Sequence, residues 1–292
     1  MSINRQKTAL VTGASSGIGY ATAIELSKRG YQVYAGARRL EPMELLKKYG
    51  IMPIQLDVSS IKSVIEARDK INEETGGYLD VLYNNAGQSC TFPSLDVTDE
   101  VFKQCYEVNV FGPMRMVREF RKLIINAKGV IGFTGSLSAL LPFPFSSVYS
   151  STKAAIHQYA STLALEMKPF GVRVVNIVTG GVSTNIADTR PLPEGSIYSV
   201  EGMKEAMKER QQMAVRNKPM DADKYAKQVV DDFERIGWFT LFSNVYRGSQ
   251  TVLVRFVSIL PRGLLEWGLI RKFLLTNVFQ TIREKYSKTK IE

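Results

Sequence analysis

The chain has 292 residues, 45% of them apolar and 23% charged, with two cysteines, one histidine and a net charge of +10. This balance belongs to a globular protein with material for one large α/β domain or two small ones, and it excludes a disordered or fibrous chain. Cys90 and Cys105 are too few for a disulfide framework or a cysteine-based zinc site and indicate a reducing compartment. The lone His157 excludes a histidine-cluster metal site, so no metal is expected, and any Ser-His-Asp scheme would have to use it.

Short apolar runs at 8–12, 31–37, 51–56, 79–83, 129–134 and 172–178 alternate with amphipathic stretches at 17–29, 41–49, 60–75, 99–126 and 147–170. The runs are continuous rather than alternating, as in parallel strands covered on both faces. Strand–helix alternation repeated this often predicts an α/β fold with a doubly wound parallel sheet. After the sixth strand, 187–198 (ADTRPLPEGSIY) reads as a mobile loop; a helix at 221–235 and a short strand near 244–250 close the domain. We expect a catalytic domain over 1–250, with 186–218 as its substrate loop region, and a basic amphipathic extension over 251–292.

The segment Thr12-Gly13-Ala14-Ser15-Ser16-Gly17-Ile18-Gly19 follows the first strand and opens a helix. Glycines there let backbone approach a pyrophosphate, and the helix N-terminus offers N–H groups and a favourable dipole. At the end of the second strand stand Arg38 and Arg39, with no acid before Glu41. Guanidiniums at this position suit the 2′-phosphate of NADPH, where an acid would suit NAD; a solvated basic helix start is the plainer reading. Asp57, after the third strand, is a candidate for the adenine edge and equally a helix cap before Ser59 and Ser60. Asn85, Ala86 and Gly87 follow the fourth strand, where small residues permit close approach to a cofactor.

Tyr149 and Lys153 form an i, i+4 pair at the start of a helix, so they share one face. A nearby ammonium favours the phenolate and lowers the tyrosine pKa towards working pH, where general acid catalysis is efficient. Ser136 ends the fifth strand with its hydroxyl towards the same cleft. Asn109 lies inside a long helix, where asparagine adds nothing to stability, which marks it for a site role. His157 reads as a packed helix residue, and Cys90 and Cys105 as small core or pocket residues rather than nucleophiles.

Together the TGxxxGIG turn, the NNAG after the fourth strand, Asn109, Ser136 and the YxxxK at 149–153 resemble the short-chain dehydrogenase/reductase superfamily across residues 8–185. The resemblance implies a Rossmann-type fold in which Gly13, Ser15, Ser16, Gly17, Ile18, Gly19, Arg38, Arg39, Asp57, Asn85, Ala86, Gly87, Tyr149, Lys153, Gly180, Val182 and Thr184 bind NADPH. It implies that Tyr149 protonates a substrate carbonyl, Ser136 orients it, Lys153 binds the nicotinamide ribose and poises Tyr149, and Asn109 holds a water in the proton relay. It also suggests a homodimer. The usual Pro-Gly after the sixth strand is replaced here by Thr179-Gly180-Gly181.

Within the superfamily, YNNAGQSCTFP (83–93), the stretch 135–160, TGGVSTNIADTRPLPEGSIY (179–198) and NKPMDADKYAKQVV (217–230) are similar to the fungal NADPH-dependent 1-acyldihydroxyacetone-phosphate reductases. That implies reduction of the ketone of 1-acyl-dihydroxyacetone phosphate to 1-acylglycerol 3-phosphate, a step towards phosphatidic acid. Arg190 is a candidate phosphate contact, although a solvated loop charge is the plainer reading.

From Trp238 onward nine basic residues stand against three acids, and 252–279 interleaves apolar residues with isolated charges. No uninterrupted apolar stretch is long enough to span a bilayer, so interfacial attachment to an anionic lipid surface is expected, with packing on the catalytic domain as the plainer reading. Arg255, Arg262 and Glu266 would share one helical face, and Pro261 suggests two helical pieces. No nucleic-acid signature accompanies the charge. Seven residues before the first strand leave no room for a signal peptide, so the catalytic part is expected to face the cytosol, on the endoplasmic reticulum membrane and lipid droplets. Two alternatives stay open: another lipophilic ketone (steroid, retinoid or sphingoid), and a lipid-ester hydrolase using the GxSxG at 13–17.

Overall fold

A computed structural model of the chain describes residues 5–184, 186–235 and 244–287. Asn185, Trp238, Lys288, Lys290 and Glu292, which entered the sequence reading, lie outside them. Seven strands run parallel in one sheet: β1 (Thr8–Thr12), β2 (Gln32–Ala37), β3 (Met52–Gln55), β4 (Val81–Asn84), β5 (Val130–Thr134), β6 (Arg173–Thr179) and β7 (Asn244–Arg247). The order β3-β2-β1-β4-β5-β6-β7 reverses direction between β1 and β4, and this switch point opens a crevice at the carboxyl ends of the strands. Every residue of β1 is buried, as continuous apolarity requires of a strand covered on both faces.

The helices of the two layers are α1 (Gly17–Lys28), α2 (Ile61–Thr75), α3 (Asp99–Tyr106), α4 (Gly112–Ala127), α5 (Ser147–Glu166), α6 (Met203–Gln211), α7 (Met213–Arg216) and α8 (Ala222–Glu234). One apolar cluster joins Leu10, Leu82 and Phe133 of the sheet to Val64, Phe120 and Ile156 of α2, α4 and α5. The other joins Val11, Tyr83 and Ile177 to Ala23 and Leu26 of α1 and Val229 and Phe233 of α8. Alternate strand residues therefore feed opposite cores, which fixes the register of each strand.

Three departures from the sequence reading matter. Residues Glu41–Tyr49 form a 3₁₀ helix rather than an α-helix. The long helix at 99–126 is broken by a π-turn over Glu107–Phe111, between α3 and α4. After β6, the loop is less free than its Pro and Gly content suggests: Asp188 accepts the Thr91 N–H at 3.0 Å, and Ser196 donates to Asp96 at 2.7 Å.

The C-terminal segment forms three helices, α9 (Thr251–Val257), α10 (Arg262–Lys272) and α11 (Leu275–Ser287). Pro261 ends the first break, and Leu274, in the left-handed region at φ 57°, makes the second. Arg255 and Arg262 thus fall on different helices, contrary to the shared face expected; only Arg262 and Glu266 pair, at 2.7 Å. Phe273, Leu275 and Val278 bury themselves against Met203, Ala206 and Met207 of α6. Val254 of α9 packs on Leu137, Leu141 and Val178. The described residues include no helix long and apolar enough to cross a membrane.

Candidate active site

A cavity of about 380 Å³ fills the crevice at the switch point. Its floor is the β1–α1 turn. Gly13, at φ 67°, brings its Cα side so close to β4 that a Cβ would stand 2.7 Å from Ala86 Cα, and a Cβ on Gly19 would stand 2.5 Å from Asn85 Nδ2. These positions admit only glycine. The turn is held by Asn85, whose Nδ2 donates to Thr12 O at 3.0 Å, and by Thr12 Oγ1, which accepts the Ala86 N–H at 3.0 Å. Ser16 caps α1 without any side-chain hydrogen bond, so the first N–H groups of the helix face the cavity free to meet an anion.

Arg38 and Arg39 line the same cavity, both exposed, with no ion pair or side-chain hydrogen bond among the described residues. Asp57 Oδ1 accepts from Ser59 N at 2.9 Å and Ser59 Oγ at 2.6 Å; this is a turn-forming role, and the α2 cap itself is Ser60. Beyond β6, Gly180, Val182 and Thr184 close the cavity from above, and a Cβ on Gly17 would meet Thr184 Cγ2 at 3.0 Å. The Gly180-Gly181 pair, where a Pro-Gly is usual, is tied to the chain at and after β7. Gly180 N donates to Arg247 O at 2.8 Å and Gly181 N to Ser249 O at 3.1 Å, so β7 holds it. An elongated cleft with a bare helix N-terminus at its centre and two unpaired guanidiniums at one end fits a dinucleotide bearing an extra phosphate.

At the other end lie Ser136, Tyr149 and Lys153, brought together by β5 and α5. Lys153 is buried, donates to Thr134 O at 2.9 Å and stands 5.6 Å from the Tyr149 ring centroid. Burial lowers its pKa to about 8. Burial also pushes the Tyr149 phenol up, against the Ser136 hydroxyl and the Arg210 guanidinium, which pull it down. Arg210, on α6, thus sets a second positive charge near Tyr149, beside the Lys153 ammonium that the i, i+4 spacing places there.

Asn109 sits in the π-turn, a feature that recurs at functional sites. Its side chain is fully engaged: Oδ1 accepts Gln88 N at 2.9 Å, and Nδ2 donates to Gln88 O at 2.9 Å and Thr152 Oγ1 at 3.1 Å. Cys105 and Cys90 are buried thiols; burial raises Cys90 and pushes Cys105 up to about 11, which leaves neither a nucleophile.

Two functional residues escaped the sequence reading. His157 Nε2 accepts the backbone N–H of Ser136 at 3.0 Å, so the imidazole fixes the strand end that carries Ser136. Burial, then the charge of Lys153, lowers its pKa to about 4, which keeps it neutral and able to accept. The single histidine is committed to Ser136 and makes no hydrogen bond to Ser15 among the described residues, and the GxSxG glycines form the close-packed turn. Arg210 is buried and lacks a carboxylate partner among the described residues; it donates to Pro144 O at 3.0 Å and to Ser146 Oγ, and lies over Phe143 and Phe273. Its signal was present, because Met203, Ala206, Met207 and Arg210 repeat at helical spacing. Arg190, by contrast, is paired with Asp188 at 2.7 Å and lies 5.2 Å from the Phe92 ring.

A family model described as short chain dehydrogenase matches residues 7–194. A Saccharomyces cerevisiae protein, "NADPH-dependent 1-acyldihydroxyacetone phosphate reductase", is 52% identical over 286 residues, covering 96% of this chain and 95% of the relative. Among solved structures, a short-chain dehydrogenase from Streptomyces avermitilis superposes with a TM-score of 0.76 at 26% identity, covering 99% of this chain and 100% of that one. An alcohol dehydrogenase from Thermococcus sibiricus, complexed with 5-hydroxy-NADP, gives 0.68 at 26% identity, covering 83% and 97%. The cleft, the glycine turn and the Ser136, Tyr149 and Lys153 cluster thus have their counterpart in kinship: the chain belongs to the short-chain dehydrogenase family.

Proposed function

We propose that the protein is an NADPH-dependent oxidoreductase that reduces the ketone of 1-acyl-dihydroxyacetone phosphate to 1-acylglycerol 3-phosphate. The observation that carries this reading is near full-length likeness to the yeast reductase, together with an intact Ser136, Tyr149 and Lys153 cluster at the inner end of the cleft. Bound NADPH supplies a hydride to the ketone carbon. Arg38 and Arg39 would hold its 2′-phosphate, the N-terminus of α1 its pyrophosphate, and Lys153 its nicotinamide ribose. Tyr149 gives the phenolic proton to the ketone oxygen, so hydride and proton together make the secondary alcohol. Ser136 donates to the same oxygen and orients it; Asn109 would hold a water through which a proton returns towards Tyr149 by way of Lys153.

The reading extends to place. Residues 1–250 are taken as the catalytic part, with 186–218 as the substrate region, and 251–292 as an extension that rests on a lipid surface. Support comes from Phe256 at 67%, Ile259 at 80% and Trp267 at 54% exposure, apolar side chains interleaved with Arg255, Arg262 and Arg271. That pattern suits interfacial binding to anionic lipid on the cytosolic face of the endoplasmic reticulum and on lipid droplets. A homodimer is part of the reading on family grounds, and sedimentation velocity decides it.

The test is NADPH oxidation by purified protein with 1-acyl-dihydroxyacetone phosphate, with retinal and a ketosteroid in parallel. Turnover of the acyl phosphate alone, lost in Tyr149→Phe, is expected. Turnover of another ketone only would overturn the substrate. Flotation with vesicles containing phosphatidylserine tests the surface; no flotation would overturn the attachment.

A further inference from the structure

A second cavity of about 390 Å³ adjoins the cleft. The two share Ser136, Thr179, Gly180 and Gly181 in their walls, so the second opens at the point where a carbonyl must sit to reach Ser136. Away from that point it is mostly apolar, with Asn217, Gln250 and Lys272 as polar members of its wall. Leu141 and Phe143 line one side, and Val254, Val257, Leu265 and Trp267 of α9 and α10 the other. Leu264 and Trp267 line the cavity and are also 53% and 54% exposed, so the cavity reaches the outer apolar surface of the C-terminal helices. Its volume lies within the range of small-ligand sites, about 300–1,000 Å³.

We propose that this cavity is the acyl-chain site, built by α9 and α10 against the loop after β5, with its inner end at Ser136 and its mouth at Leu264 and Trp267. The proposal rests on the reading of the substrate as an acyl ketone. An acyl tail buried here extends from the reacting carbonyl to the surface that faces lipid, so a substrate delivered from a membrane moves along one apolar path. The C-terminal helices are then part of the substrate site as well as an attachment. Chain length becomes a determinant of kcat/KM: each methylene buried is worth a factor of about four.

Gly268 supplies the test. It lines the cavity within α10, and a Cβ built on it meets nothing within 4 Å, so a larger side chain enters open space instead of clashing. Gly268→Trp sets a bulky ring at the cavity wall, where it is expected to narrow the cavity, and replaces glycine within a helix by a better helix former. We expect kcat/KM for the palmitoyl substrate to fall on the order of a hundred-fold in Gly268→Trp, by the loss of several methylene contacts. For the acetyl substrate it should change less than about three-fold, because a two-carbon tail leaves the methylene contacts unmade. Binding of cis-parinaric acid, read by fluorescence, is measured alongside and needs no turnover; it should be lost in Gly268→Trp. Equal losses for both chain lengths, or unchanged palmitoyl kinetics with unchanged probe binding, would overturn the acyl site and leave the reductase reading standing. Probe binding lost in Gly268→Trp, with no reduction of any acyl phosphate by the natural protein, would keep the acyl site and overturn the reductase reading. A sterol that competes with the probe while palmitate does not would assign the cavity to a different apolar ligand and overturn the proposal.

Discussion

Replacing His157 by Gln isolates a pH-dependent contribution to stability that follows from one hydrogen bond. The imidazole accepts the Ser136 N–H at 3.0 Å, and a Cβ on Gly135 would stand 2.5 Å from Nε2, so nothing larger than glycine lets the ring come so close. Accepting at Nε2 requires a neutral ring, and burial together with the Lys153 charge holds the pKa at about 4 against an ordinary 6.5. A folded value below the unfolded one means that the unfolded chain takes up the proton first as pH falls. The contribution is whole above about 6.5 and is lost as pH falls through 4. Linkage over that difference gives about 2 kcal/mol of stability lost between pH 7 and pH 4.5. Glutamine keeps a carbonyl acceptor but cannot titrate. Urea unfolding of both proteins at the two pH values gives a double difference in which the titrations of the carboxylates cancel. The natural protein should lose about 2 kcal/mol more than His157→Gln on acidification. A double difference within roughly 0.5 kcal/mol of zero, the uncertainty usual in such comparisons, would refute the assignment of a neutral, accepting imidazole.

Arg38→Asp removes a guanidinium that has no side-chain partner among the described residues and sets a carboxylate in its place; NADPH affinity should fall by about ten- to a hundred-fold, the worth of one or two charge-assisted bonds, while NADH is little changed, as fluorescence titration will show. Gly19→Ala drives a methyl to 2.5 Å from Asn85 Nδ2 and should abolish NADPH binding while the chain still folds, as circular dichroism checks. Lys153, with its pKa lowered to about 8, is charged below that pH and neutral above it, so kcat/KM for reduction should decline above pH 8, and the limb should move to higher pH in Lys153→Arg. Arg210→Met removes the charge that pulls down the Tyr149 phenol and the bonds to Pro144 and Ser146; kcat should fall by at least about ten-fold, the price of roughly one such bond, without rescue by lysine, whose single ammonium lacks the planar fork.

The parts legible in the sequence are those that local rules govern. Six apolar runs became β1 to β6 because a doubly covered strand has no polar face to confuse the reading, and the glycine turn was readable because its place between strand and helix is as telling as its letters. Asn109 was noticed for being costly in a helix; the π-turn that makes the position special leaves no mark in the spacing. Residues 203–211 escaped because an arginine occupies the fourth inward position of their apolar stripe. His157 was taken as packing, which is true of its burial, but its bond to a backbone N–H 21 residues away belongs to tertiary structure. The break at Leu274 is a left-handed leucine that no turn residue announces.

Arg210 ties the C-terminal helices to the catalytic residues. A buried guanidinium without a carboxylate is costly, and it persists where several neighbours share the task of holding it. Here the neighbours come from separate parts of the chain: Pro144 and Ser146 from the entry to α5, the ring of Phe143 at 5.4 Å, and the ring of Phe273 at 5.9 Å from the junction of α10 and α11. Ser146 is the cap residue of α5 and precedes Tyr149 by one helical turn. Phe143 in turn meets Phe273 edge to face, with centroids 6.5 Å apart. The position of Tyr149 is thus tied through one side chain to α6 and to the C-terminal helices that wall the apolar cavity. A tail seated between α9, α10 and Phe143 would press on the same contacts that hold Arg210 beside Tyr149. On this argument a substrate without a long tail loses rate as well as affinity, the expected sign of binding energy from a remote group used to organise the reacting centre.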